Sequence, residues 1–134
     1  MADESTTAIQ RAGEGLRTEI STRLHTWTGD GKQSDELPEP GGPNPFAQLL
    51  GALASCMAMT ARLYADRKGL ALDEVRVTVS DERAEGQPLE RVRAEVTLSG
   101  DLPEEVRERV FASAQRCPVH RTLAPSVAIE SVLV

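Results

Sequence analysis

Hydrophobic positions along this chain change their spacing several times, and each change marks an element. From Leu16 to Trp27 the pattern alternates, through Leu16, Thr18 and Ile20 and then Leu24 and Thr26. That period of two predicts a strand carrying Arg17, Arg23 and His25. Residues 1–13 before it are polar and aperiodic, a loose N-terminus. Residues 28–45 hold Gly29, Gly31, Gly41 and Gly42 with Pro38, Pro40, Pro43 and Pro45, breakers dense enough to predict a loop or poorly ordered flap. After Pro45 the spacing becomes helical. Asn44 is placed to cap the helix, Pro45 suits its first turn, and Gly69 stops it after Arg67 and Lys68. The run Phe46–Lys68 is roughly 35 Å of helix. Leu49, Leu50, Leu53, Ala54, Met57, Ala58 and Ala61 cover more than one of its faces, which predicts a buried helix.

Two alternating runs follow. Val75, Val77 and Val79 interleave with Arg76, Thr78 and Ser80; Val92, Ala94, Val96 and Leu98 interleave with Arg91, Arg93, Glu95 and Thr97. Each has one apolar and one wet face, as in an antiparallel sheet solvated on one side. Residues 85–88, Glu-Gly-Gln-Pro, supply a turn between them. Pro103 opens a second helix, with Glu104 and Glu105 suiting its positive end. Its stripe, Val106, Val110 and Ala114, extends to put Cys117 on the buried side. Pro125 ends the helical tract, and Val127, Ile129 and Leu133 alternate through a last strand. The order predicts a single α+β domain over residues 1–134.

Composition narrows the picture. Aromatic residues are 3% of the 134, so Ala, Val and Leu must build the core. A thin core of that kind gains from burying more surface in an oligomer. The net charge is −6, with lysine only at 32 and 68, and no basic stripe interleaved with aromatics, so nucleic acid is not an expected partner. The N-terminus has neither the basic nor the apolar region of a secretory signal. The apolar stretch around 46–61, broken by Gln48, Ser55 and Thr60, falls short of a membrane span. A soluble, cytoplasmic protein is expected, and in a reducing cytosol two cysteines are more often catalytic, metal-binding or inert than a permanent bridge.

Cys56 and Cys117 are the two cysteines. Cys56 lies mid-helix, with Leu49, Ala52, Leu53, Met59, Thr60 and Leu63 on its side. An apolar pocket raises a thiol pKa, so Cys56 is either an inert core residue or a nucleophile assisted by a cation from elsewhere. Cys117 precedes Pro118 and is placed to cap a short helical turn, whose free amides favour a thiolate, with His120 and Arg121 as further donors. Free cysteines also commonly just fill space. Cys117, His120, Cys56 and His25 offer a zinc set on paper, but Cys-x-x-His with dispersed partners is a weak pattern. No metal or cofactor is expected, and phosphate loops and serine nucleophile elbows are missing from the sequence.

Two segments resemble a known family. Residues 41–70, with Pro-Asn-Pro-Phe-Ala-Gln-Leu-Leu-Gly-Ala-Leu-Ala-Ser-Cys at 43–56, resemble the central helix of the osmotically inducible protein C (OsmC) family, which includes the organic hydroperoxide resistance proteins. Cys-Pro-Val-His-Arg-Thr-Leu at 117–123 is similar to its second signature. The resemblance covers roughly 20–134. It implies an α+β fold in which two subunits intertwine as a homodimer around buried central helices. It further implies that Cys56 attacks an organic hydroperoxide, and that Cys117 resolves the resulting sulfenic acid as a disulfide for an external dithiol to reduce. The family's peroxidases carry a Glu ten residues before the first cysteine, paired with an Arg that activates it; Phe46 stands there in this chain. Arg23, preferred over Arg17, is the candidate cation, with Asp35 or Glu36 as its holder. The expected function is a two-cysteine organic hydroperoxide peroxidase in oxidative-stress defence. The alternative is a dimeric binding or redox-sensing protein of the same fold with little turnover.

Overall fold

Short strands come first. In the computed structural model, which describes residues 4–31, 41–84 and 86–134, β1 (Thr7–Gln10), β2 (Thr18–Ser21) and β3 (Thr26–Gly29) form an antiparallel sheet in that order. Thr7 pairs with Ser21, and Ile20 with both Ala8 and Trp27. Two expectations change here. The polar start contains a strand, and the stretch expected as one strand from Leu16 to Trp27 is a hairpin. Its reversal is made by Thr22, whose N–H donates to the His25 carbonyl at 2.8 Å and whose hydroxyl accepts from the His25 amide at 3.1 Å. A threonine hydroxyl that satisfies amides two and three residues on replaces a glycine or proline as the turn former.

The long helix, α1 (Pro45–Arg67), begins as expected: the Asn44 side chain accepts from the Ala47 amide at 2.8 Å. It ends at Gly69, whose φ of +64° is the left-handed conformation a helix stop requires. Over its 23 residues it is long and apolar enough to cross a membrane by length and composition, which residues 46–61 alone are not. The core helix of a soluble protein meets the same two measures. Within this chain Leu53, Met57, Ala61 and Ala65 are sealed, one stripe at i, i+4, while Met59 is 64% and Leu63 52% exposed. Burial on all sides is therefore not what the single chain gives.

The larger sheet consists of β4 (Leu72–Asp81), β5 (Arg91–Gly100) and β6 (Ala128–Leu133). β4 and β5 are antiparallel, with Val77 opposite Val96. Gln87 donates its amide to Ala84 O in the turn before β5, while Glu85 of the expected turn lies outside the described residues. β6 pairs with β5 in parallel, Val92 beside Ile129, so this sheet is mixed and not purely antiparallel as expected. Parallel neighbours need a crossover, and α2 (Glu104–Ala114) and α3 (Pro118–Leu123) supply it. The core joins the α1 stripe to Val92, Ala94, Val96 and Leu98 of β5, Val110 and Ala114 of α2, and Cys117. By its contacts the chain divides into two units, Met1–Leu49 and Leu50–Val134.

Candidate functional site: a thiol pair

Both cysteines belong to the second unit. Cys56 is half-buried at the middle of α1 and packs against the core. Its carbonyl accepts from the Thr60 hydroxyl at 2.8 Å. A position flanked by many residues of helix on either side holds the Cβ of Cys56 fixed.

Cys117 is the joint between two helices. Its own amide donates to Ala114 O at 3.3 Å in the last turn of α2, and its carbonyl accepts from Arg121 at 3.0 Å in α3. Its backbone is extended, φ −66° and ψ 150°, and its Sγ accepts from the His120 amide at 3.3 Å. This is N-cap geometry with sulfur in place of the usual oxygen, and Pro118 at the first helical position has no amide to leave unsatisfied. The expected cap is present.

The sequence pattern places the cysteines 61 residues apart, and the fold brings them close enough for Cys56 to raise the Cys117 pKa. The Cys117 thiol is pushed up to about 11, chiefly by burial and to a smaller extent by the neighbouring Cys56, against the pull of the His120 and Val119 amides. Cys117 therefore keeps its proton at neutral pH. This corrects the expectation of a thiolate at Cys117. The amides are where they were expected, but full desolvation of a sulfur with 0% exposure outweighs them.

His120 sits one turn into α3. Burial lowers its imidazole pKa, and its Nε2 is sealed without a hydrogen-bond partner. Arg121 is exposed. Among the described residues no group of three or more His, Cys, Asp or Glu side chains is arranged to hold a metal ion.

Arg23 and His25 lie in the first unit, at the β2–β3 reversal. They line an open cleft of about 460 Å³ with Glu4, Ser5, Thr6, Thr22 and Leu24. Asp35 and Glu36 lie outside the described residues. Of the two candidate arginines, Arg17 has a carboxylate among the described residues, Asp30 at 3.8 Å. Asp30 accepts from the amides of Gly41 at 2.9 Å and Gly31 at 2.7 Å, and these bonds, with Arg17 a smaller contribution, hold its carboxyl below the ordinary range. Sequence reasoning missed Asp30, although Asp followed by Gly is a turn signal. It also missed Gln48, which accepts from Trp27 Nε1 at 3.0 Å and donates to Pro43 O at 3.1 Å. The first turn of α1 carries no acidic residue, as Phe46 implied.

The sequence matches the OsmC-like protein family over residues 35–132. Among solved structures, an OsmC-like protein from Mycoplasma pneumoniae is similar with a TM-score of 0.82 at 21% identity, covering 99% of this chain and 96% of that one. An organic hydroperoxide resistance protein from Legionella pneumophila gives a TM-score of 0.72 at 20% identity, with 99% and 97% covered. The organic hydroperoxide resistance protein OhrB of Bacillus subtilis gives 0.70 at 18%, with 99% and 98% covered. At these identities the likeness is one of fold. No curated protein is significantly similar in sequence.

Proposed function

The chain belongs to the OsmC-like protein family, and on that premise we propose that it is a two-cysteine peroxidase that reduces organic hydroperoxides in defence against oxidative stress. The observation that carries this reading is the proximity of the two thiols, with Cys117 buried and Cys56 the more accessible. Cys56 attacks the O–O bond and takes one oxygen as sulfenic acid, releasing an alcohol. The Cys117 thiol then condenses with that sulfenic acid, forming the disulfide and releasing water. An external dithiol restores both thiols, in a cytoplasm that keeps thiols reduced. Two of the structural neighbours are named for organic hydroperoxide resistance, which supports that substrate class.

Arg23 is the cation assigned to assist Cys56. The assembly proposed is a homodimer. Met59 and Leu63 leave an apolar face of α1 open in the single chain, and a second copy would cover it. Light scattering at micromolar concentration should give twice the chain mass; a fully helical monomer would refute the dimer.

The deciding experiment is consumption of cumene hydroperoxide with dithiothreitol as reductant. Cys56→Ser should abolish it, Cys117→Ser should leave a dimedone-reactive sulfenic acid on Cys56, and Arg23→Ala should slow it. If both cysteine variants consume peroxide at the wild-type rate, the mechanism is wrong. One observation favours a second reading, a binding or sensing protein with little turnover: α1 begins on Phe46 with no carboxylate in its first turn. Binding of hydroperoxide without catalytic consumption would select it.

A further inference from the structure

Cys117 has two tasks that compete for one sulfur. Its Sγ is the N-cap of α3, accepting the His120 amide at 3.3 Å, and it is also the atom that a bridge to the neighbouring Cys56 would use. A disulfide draws the two sulfurs together to a bond of about 2.05 Å. One side must move. Cys56 is locked within the 23 residues of α1, whose stripe at Leu53 and Met57 is sealed in the core. Cys117 heads a helix of six residues, none of them buried. So short a helix does not hold itself together in water; it depends on its ends and on Val119 and Leu123, which pack against the core.

We propose that α3 is a redox-sensitive element: joining Cys117 to Cys56 takes the capping sulfur from the His120 amide and loosens residues 118–123. This rests on the thiol pair forming a bridge, but not on how the bridge is made. A diazene oxidant such as diamide removes two electrons and two protons from the thiols and becomes the hydrazine, so no peroxidase step is needed. Loosening α3 also frees His120, whose Nε2 is sealed without a partner and whose burial disfavours the imidazolium. Oxidation of the thiols then lets that imidazole take up a proton nearer neutral pH. The pair's redox state is thus written into the order and charge of a segment on its outer side.

The test is amide hydrogen exchange on the full chain, reduced and diamide-oxidised, with mass spectrometry confirming the bridge. A cap of this kind is worth about a factor of five, so exchange at His120 should rise roughly fivefold or more on oxidation. Cys117→Ser, with a capping hydroxyl and no means of bridging, should stay protected under both conditions. Cys117→Ala should exchange fast at residues 118–123 even without oxidant. The His120 imidazole pKa, read by NMR, should rise on oxidation. A confirmed bridge with unchanged exchange would overturn the switch alone. Failure of diamide to form any bridge would overturn the pairing and the switch with it. Protection in Cys117→Ala equal to Cys117→Ser would show that the sulfur is no cap and sink the idea by itself.

Discussion

The two sheets of this chain are built by opposite means. In the larger one, β5 alternates strictly: Val92, Ala94, Val96 and Leu98 are sealed, and the residues between them are not. In the smaller one the strands are four residues long, and of their twelve positions only Gly29 is buried. Ile9 is 41% exposed, so its apolar surface gains little within the single chain. The larger sheet is stabilised by burial, whereas the smaller relies on hydrogen bonds and turn chemistry. Long strands can back a core; short ones, in a chain this poor in aromatic residues, cannot.

Core truncation tests this difference with the largest effect. Leu53→Ala, at a fully buried position of α1, should cost about 2–5 kcal/mol in urea denaturation. Ile9→Ala should cost less than about 1 kcal/mol. Equal losses would break the comparison, and an Ile9 loss that grows with protein concentration would show that a second copy covers that sheet.

The next effect depends on pH and belongs to the second unit alone. The folded protein holds the Cys117 proton up to about 11, above an unfolded thiol. Between those values the native state binds the proton more tightly, so stability is full below the unfolded value and falls as pH rises towards 11. The difference between wild type and Cys117→Ser should change across that window by on the order of 2 kcal/mol. A parallel pair of stability curves from pH 8 to 11 would show that Cys117 is not buried as described.

Smaller effects should come from capping and turn groups. Asn44→Ala, which removes the bond to the Ala47 amide, should cost about 1 kcal/mol of thermal stability. Thr22→Ala should cost roughly 0.5–1 kcal/mol, since the amides of Leu24 and His25 it serves are exposed and water can replace it. A Thr22 loss above that of Leu53 would reverse the ranking.

How far the sequence could be read follows from which forces were local. Asn44, Gly69 and the Cys117–Pro118 pair mark helix ends by short-range chemistry, and the bounds of α1 and the start of α3 stand where those residues put them. The β2–β3 reversal was hidden because Thr22 turns the chain without glycine or proline, and Arg23 and Leu24 continue the alternation through it. Pairing direction has no periodicity, so the parallel β6 was not visible from Val127, Ile129 and Leu133. At Cys117 the pattern gave both the cap and the burial, but burial set the sign of its pKa. Proximity of the two thiols is long-range in sequence, and the residues alone left Cys56 either inert or reactive. Family resemblance chose a role for it, and the fold supplied its neighbour.

The parallel seam between β5 and β6 also bears on how this chain comes to be folded. β4 and β5 are joined by a short connection and can zip together soon after they are made. The β5–β6 seam closes only when α2, α3 and β6 exist, because it pairs residues 37 apart, as in the bond of 3.0 Å from Arg93 Nη1 to Glu130. Distant pairings of this sort slow folding, since the loop must close before any contact rewards it. Until then β5 presents an open edge beside its apolar row of Val92, Ala94, Val96 and Leu98. Arg93, bonded to both Glu95 and Glu130, places charge along that edge, where a stray strand would otherwise add. The same arginine that fastens the finished seam guards it while it is being made.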